Sequence, residues 1–223
     1  MTDLPKSVAV IGGTGALGLG LASRWARAGI TVIIGSRDAG RASETARGIE
    51  GATGPAPAGM ANWAAAAAAE IVALAVPFIG RKAILESIRA GCQRKVVIDS
   101  TVPLVPPKVG TVTLPSGGSA AQMCQKALGE GARVVAAFHS VAADKLLGEG
   151  AIDCDVLVCG EKLADRAVVI ELAKAAGLRG VHAGPLANAV APESLTPVLI
   201  AINRHYKMAG AGIRITGELK KPD

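Results

Sequence analysis

Buried aliphatic strands alternating with amphipathic helices predict an α/β protein built on a doubly wound, mostly parallel sheet with a short C-terminal helical extension. Two observations carry most of that reading. Half of the 223 residues are hydrophobic but only 2% are aromatic, so the interior has to be Ala, Val, Ile and Leu, the composition of strands covered on both faces. The opening run Val8-Ala9-Val10-Ile11 feeds a glycine turn, and Leu17, Leu21, Ala22 and Trp25 then recur at helical spacing. No internal repeat of solenoid period interrupts the alternation. A chain of this length buries one substantial core, so residues 1–223 read as a single domain.

The elements follow in order. Gly29 stands where a helix ends, and residues 31–34 form the second strand. Gly35-Ser36-Arg37 closes it, and residues 39–48 carry a polar, alanine-rich helical pattern. Residues 51–61, rich in Gly, Ala and Pro, read as a loop. The alanine run 64–69 reads as a short helix, because alanine is the best helix former. Strands are expected at 71–76 and 95–98, around a helix at 81–89. Pro103, Pro106, Pro107 and Pro115 forbid regular structure in the next stretch. Helices at 119–128, 142–147 and 163–176 and strands at 133–137, 155–158 and 180–182 follow. The closing helix is read over 193–208, with Pro197 near its start, where a first-turn proline is tolerated.

Gly13-Thr14-Gly15-Ala16-Leu17-Gly18 matches G-x-G-x-x-G. Alone that pattern is weak; between a buried strand and an amphipathic helix it is the dinucleotide-binding fingerprint of Rossmann-type folds. Gly13 is expected to make the tight turn, Gly15 to let backbone approach a pyrophosphate, and Gly18 to let the helix pack close. The helix N-terminus adds free N–H groups and partial positive charge. Residues 1–183 therefore read as a nucleotide-binding core and 184–223 as a C-terminal elaboration of it.

The end of the second strand chooses the nicotinamide cofactor. An NAD enzyme places Asp or Glu there for the ribose 2′-OH. This chain places Ser36 and Arg37, and a hydroxyl with a guanidinium suits a 2′-phosphate. Arg41, four residues on, adds a second charge on the same helix face. The reading is NADP. His139 is the only histidine at a strand end of the expected cleft, and a positioning role suits it better than acid–base work. His182 and His205 read as structural. No Tyr-x-x-x-Lys pair or His–Asp couple marks a carbonyl-reducing dehydrogenase, which suggests a hydride acceptor that needs little proton transfer from the protein.

The net charge of +6 is scattered, and aromatics are nearly absent. That argues for small polyanionic ligands and against nucleic acid. Four cysteines, Cys92, Cys124, Cys154 and Cys159, show neither C-x-x-C nor zinc spacing and read as buried reduced thiols, with no metal site. No apolar run is long enough to span a bilayer, and residues 1–6 lead straight into the first strand, so the protein reads as cytoplasmic. The apolar closing helix makes a homodimer the hypothesis for assembly.

Gly12-Gly13-Thr14-Gly15-x-Leu17-Gly18, Gly35-Ser36-Arg37, Val76-Pro77-Phe78, Val102-Pro103-Leu104-Val105, Ser119-Ala120-Ala121, His139-Ser140-Val141, Ala183-Gly184-Pro185-Leu186 and Glu193-Ser194-Leu195-Thr196-Pro197 occur in that order. Together they resemble the coenzyme F420:NADP oxidoreductases over almost the whole chain. The resemblance implies reversible hydride transfer between the nicotinamide C4 of NADPH and C5 of the 5-deazaflavin F420. It implies NADP contacts at Thr14, Gly15, Ala16, Leu17, Ser36, Arg37, Arg41, Phe78, Val102 and Ala143. It also implies a deazaflavin cleft near His139, Ser140, Val141 and the C-terminal segment, with Arg204, Lys207 and Arg214 as candidates for its phosphate and glutamate tail. Ala16 and Ala142 depart from the residues common in relatives. An NADPH-dependent reductase of another acceptor (flavin, metal complex or imine) and a non-enzymatic NADPH sensor are the alternatives.

Overall fold

The structure is a computed structural model and describes residues 4–148 and 150–218. Strands β1 (Ser7–Ile11), β2 (Thr31–Ser36), β3 (Ala58–Ala61), β4 (Ile71–Leu74), β5 (Val96–Asp99), β6 (Arg133–Ala136), β7 (Asp155–Gly160) and β8 (Arg179–His182) form one eight-stranded sheet. Helices α1 (Ala16–Arg27), α2 (Ala39–Arg47), α3 (Asn62–Ala68), α4 (Arg81–Ile88), α5 (Ala120–Leu128), α6 (Ala143–Leu147), α7 (Leu163–Ala175) and α8 (Val190–Tyr206) connect and cover it. The order is β3-β2-β1-β4-β5-β6-β7-β8. It reverses between β1 and β4, so the crevice beyond their carboxyl ends is the place such sheets offer a ligand.

The aliphatic composition explains the two-sided core. Val8 and Val10 of β1 face one apolar cluster with Leu21, Trp25, Val32, Ile34 and Leu172, while Ala9 and Ile11 face the other with Val72, Leu74, Leu85 and Leu128. A strand apolar on both faces has to lie between two helical layers. Trp25 ties the first layer together: its Nε1 donates to the Leu172 carbonyl at 2.9 Å, and its ring meets Phe138 edge-on at 5.9 Å.

Two expectations need correction, and the mostly parallel sheet has one antiparallel pair. Residues 58–61 are an edge strand, not loop, with Ile34 opposite Gly59. A Cβ on Gly59 would stand 2.2 Å from the Ala42 and Ser43 backbone, so the glycine that reads as a breaker lets β3 pass under α2. β7 runs antiparallel to β6, Val135 opposite Gly160, while its partner β8 is parallel to it. The connection from β6 to β7 carries only the five-residue α6, and the chain doubles back. Finally, α8 begins at Val190, after a 3₁₀ turn at Leu186–Ala189, so Pro197 sits in its interior and Pro192 occupies the first turn. All four cysteines are buried and free. Among the described residues no helix is long and apolar enough to cross a membrane.

Candidate active site

The glycine turn leaves β1 through Gly12, whose φ of +83° makes it the residue of the tight turn, a role expected of Gly13. A Cβ on Gly12 would meet the Ala75 carbonyl oxygen at 2.5 Å. Gly13 is hemmed in by Ile34, and Gly18 lies against the turn itself, with its hypothetical Cβ 2.5 Å from the Gly12 carbonyl oxygen and 2.8 Å from Gly13 Cα. A Cβ on Gly15 would meet the Gly12 carbonyl oxygen at an ordinary 3.4 Å, and the residue is exposed. It is the N-cap of α1, with no side-chain cap and no acidic residue in the first turn. The first N–H groups of α1 have no carbonyl one turn back, so the helix start offers uncompensated donors.

Thr14, Gly15, Ser36, Arg37 and Arg41 line one groove with Asn62. Arg37 and Arg41 are exposed, and neither has an ion pair among the described residues. The one nearby acid is occupied elsewhere: Asp38 caps α2, its Oδ1 accepting from the N–H groups of Gly40 at 2.8 Å and Arg41 at 3.1 Å. The end of β2 thus carries a hydroxyl and a guanidinium, and the first carboxylate beyond it is engaged, through Oδ1, at the cap of α2. Of the other predicted residues, Ala16 is exposed at the head of α1, and Leu17 packs onto the core beside the turn. Phe78 lies in the loop after β4 that forms the far wall, with the Arg81 guanidinium 4.8 Å over its ring. Val102 is half-buried after β5, and Ala143 opens α6, which packs on α1 at Gly20.

The ends of β5 and β6 are built differently. Phe138 has a φ of +68°, a strained value for a bulky residue, and is fully buried against Trp25. That bend places His139, 5% exposed, with both ring nitrogens buried and unpartnered. Burial lowers its pKa to about 4, with only partial relief from the nearby Asp99 carboxylate, so the imidazole is neutral at pH 7. The His139 carbonyl accepts from Thr196 Oγ1 of α8 at 2.7 Å. Ser140 lines a neighbouring hollow with Ala142, Cys154 and residues 210–212, and Val141 is buried.

Sequence reasoning passed over the polar network behind this wall. Asp99, fully buried, receives Arg81 Nη1 at 3.2 Å, and its other oxygen accepts the Thr101 N–H at 2.9 Å. Arg81 Nη2 donates to the Ala120 carbonyl at 2.7 Å. Glu193 of α8 accepts the N–H groups of Ala120 at 2.7 Å and Ala121 at 3.0 Å, completing a helix start already capped by Ser119. Burial nevertheless pushes the Glu193 carboxyl up to about 7. An acid closing the apolar run of β5 was the visible sign of a buried partner. Of the three tail candidates, Arg214 is already committed, paired with Asp153 and 3.7 Å from Asp155. Arg204 and Lys207 remain exposed.

Residues 7–103 match the family model described as NADP oxidoreductase coenzyme F420-dependent. The chain is 42% identical to the F420-dependent NADP reductase of Methanothermobacter thermautotrophicus, covering 94% of each chain. It is 36% identical to the enzyme of the same name from Methanocaldococcus jannaschii, covering 94% of this chain and 97% of that one. Its fold matches a crystal structure of a protein from Arthrobacter sp. FB24 described as a putative F420-dependent NADP-reductase, with a TM-score of 0.80 at 24% identity, covering 96% of this chain and all of the other.

Proposed function

The chain belongs to the F420-dependent NADP reductases, and we propose from that premise how its residues divide the work of moving a hydride between NADPH and coenzyme F420. The protein is an NADP-dependent oxidoreductase with NADP(H) and F420 as its two substrates. In this reading the described residues up to 183 hold the nucleotide. The open turn at Thr14–Gly15 and the start of α1 take the pyrophosphate, while Ser36, Arg37 and Arg41 take the 2′-phosphate. Phe78, Val102 and Ala143 border the nicotinamide half. The deazaflavin meets the nicotinamide beside His139, Ser140 and Val141, with residues 184–218 closing the cleft and Arg204 and Lys207 available to its anionic tail; 219–223, also read as part of that segment, lie outside the described residues.

One observation supports the nucleotide assignment above the others. Two exposed guanidiniums without ion pairs among the described residues share a groove with the glycine turn, while the neighbouring acid Asp38 caps a helix. The acceptor end supports direct transfer between rings. Hydride transfer depends on distance, orientation and exclusion of water rather than on a proton relay, and a neutral, buried His139 is no acid at pH 7. The outward apolar side chains Leu114, Val198 and Met208, 63%, 42% and 48% exposed, support a homodimer; a monomeric mass in solution removes that part.

The direct test mixes the protein with oxidised F420 and either NADPH or NADH and follows loss of the deazaflavin absorbance. Bleaching with NADPH far faster than with NADH is expected. No bleaching with either nucleotide sinks the assignment, and equal rates sink the 2′-phosphate argument. His139→Ala should weaken F420 binding while single-turnover hydride transfer stays measurable; its complete loss would make His139 catalytic.

A further inference from the structure

Arg81 opens α4 and is 5% exposed, and the division of work proposed above gives it no part. Its guanidinium is shared three ways. Nη1 donates to Asp99 Oδ2 at 3.2 Å, Nη2 donates to the Ala120 carbonyl at 2.7 Å, and the guanidinium carbon lies 4.8 Å over the centre of the Phe78 ring. A planar, delocalised cation serves an acid and a carbonyl with its forked donors and still meets an aromatic ring; a lysine ammonium, a compact point charge, does not do all three. Arg81 does not itself line the nucleotide groove, although Gly80 and Ile84 on either side of it do. It stands behind the wall.

Each of its partners holds a piece of the cleft. Phe78 borders the nicotinamide half in the proposed reading. Asp99 turns its other oxygen to the Thr101 N–H at 2.9 Å, and Thr101 leads directly into Val102 of the same border. Ala120 is the first residue of α5, and its N–H goes to Glu193 Oε2 at 2.7 Å, with the Ala121 N–H on Oε1 at 3.0 Å. One turn along α8 from Glu193, Thr196 donates to the His139 carbonyl at 2.7 Å, at the wall given to the deazaflavin. Glu193 is 2% exposed, so it too lies behind its wall. The two walls of the cleft thus meet in one buried network, tied on the nicotinamide side by Arg81 and on the deazaflavin side by Glu193.

Hydride transfer between two rings is set by their separation and orientation, and a small misplacement is costly. We infer that Arg81 is a positioning residue for the hydride transfer. Through Phe78 and Asp99 it sets the nicotinamide wall, and through Ala120 and Glu193 it registers that wall against the deazaflavin wall. This rests on the placement of the two rings proposed above.

The test is Arg81→Lys, which keeps a cation beside Asp99 but loses the forked donors and the planar cation over Phe78. Single-turnover oxidation of NADPH by F420, followed by the deazaflavin absorbance with both substrates saturating, is compared with separately measured dissociation constants for NADPH and for F420. At pH 8 the saturated rate should fall about tenfold or more while each dissociation constant stays within about twofold of wild type. Glu193→Gln, whose amide puts a donor where the carboxylate has its second acceptor, should show the same pattern at that pH, where the Glu193 carboxyl, raised by burial to about 7, is ionised. It decides alone should Arg81→Lys fail to fold by circular dichroism. A folded variant that transfers hydride at the wild-type rate overturns the inference. So does a loss of rate matched by an equal weakening of NADPH binding, which would make Arg81 a scaffold of the nucleotide groove and no more. A wild type that binds NADPH and F420 but moves no hydride between them overturns the ring placement, and this inference with it.

Discussion

Arg37 and Arg41 stand in solvent with no acid paired to them among the described residues, whereas Asp99, His139 and Glu193, at the other end of the cleft, are 0%, 5% and 2% exposed. In the proposed assignment the nucleotide end presents charge to a ligand that brings its own countercharge. The acceptor end withdraws charge: Asp99 is matched by Arg81, His139 is kept neutral, and Glu193 is turned onto a helix start. The two ends therefore answer differently to substitution. Changes at the nucleotide end should cost affinity and leave the fold alone. Changes at the acceptor end should first cost stability.

Asp99→Ala should show this most strongly. Removing one partner of a buried ion pair leaves the other charge stranded, worth about 3–5 kcal/mol, and Arg81 is only 5% exposed. The urea midpoint should fall accordingly. A fall as small as that of a surface substitution would mean that Arg81 finds another partner and that the acceptor end is less locked than its geometry indicates.

A pH titration separates the two buried groups next. Burial raises Glu193 from 4.5 to about 7, so the folded state holds its proton more tightly. Stability is then fully present below pH 4.5 and lost as pH rises through about 7. His139 is lowered from 6.5 to about 4, so its contribution is present above pH 6.5 and lost as pH falls through about 4. Each shift corresponds to on the order of 3 kcal/mol, in opposite directions over overlapping windows. Urea midpoints from pH 4 to 8 should show the stability of Glu193→Gln rising with pH relative to wild type, and the acid-side loss flattened in His139→Gln. Parallel curves for the wild type and both variants would refute this account of the buried groups.

The same contrast explains what the chain's residues disclosed unaided. The turn at Gly12–Gly18, the close of β2 at Ser36 and Arg37, and the capping residue Asp38 lie within one βαβ unit, where local pattern and local geometry coincide. The acceptor end is assembled across long separations. Thr196 reaches His139 over 57 residues and Glu193 reaches Ala120 over 73, and no local period encodes such pairs. The misread elements follow the same rule. Gly59 is a strand residue only because α2 lies over it, and Pro197 is interior to α8 only because the helix starts in the turn before it.

At the nucleotide end, Arg37→Ala should leave the urea midpoint within the small range of surface substitutions. It should raise KM for NADPH about tenfold or more, since a charge-assisted pair is worth about 1.5–3 kcal/mol, while KM for NADH stays near its wild-type value. A matching loss with NADH would mean that Arg37 holds something common to both nucleotides.

Arg41→Ala should do less. Arg41 lies in the first turn of α2, and its backbone N–H is held by Asp38, so the side chain approaches the phosphate from an exposed helix surface. An exposed pair of this kind contributes about 0.2–1 kcal/mol, at most a fivefold change in KM for NADPH. The double variant carries the sharper information. If both guanidiniums meet the same 2′-phosphate, removing Arg37 leaves Arg41 less to hold, or lets it move in as a substitute, and the two effects will not add. Strict additivity in the KM values for NADPH would mean that Arg41 acts at a distance on the field of the groove rather than on the phosphate, and the nucleotide end would then rest on Ser36 and Arg37 alone.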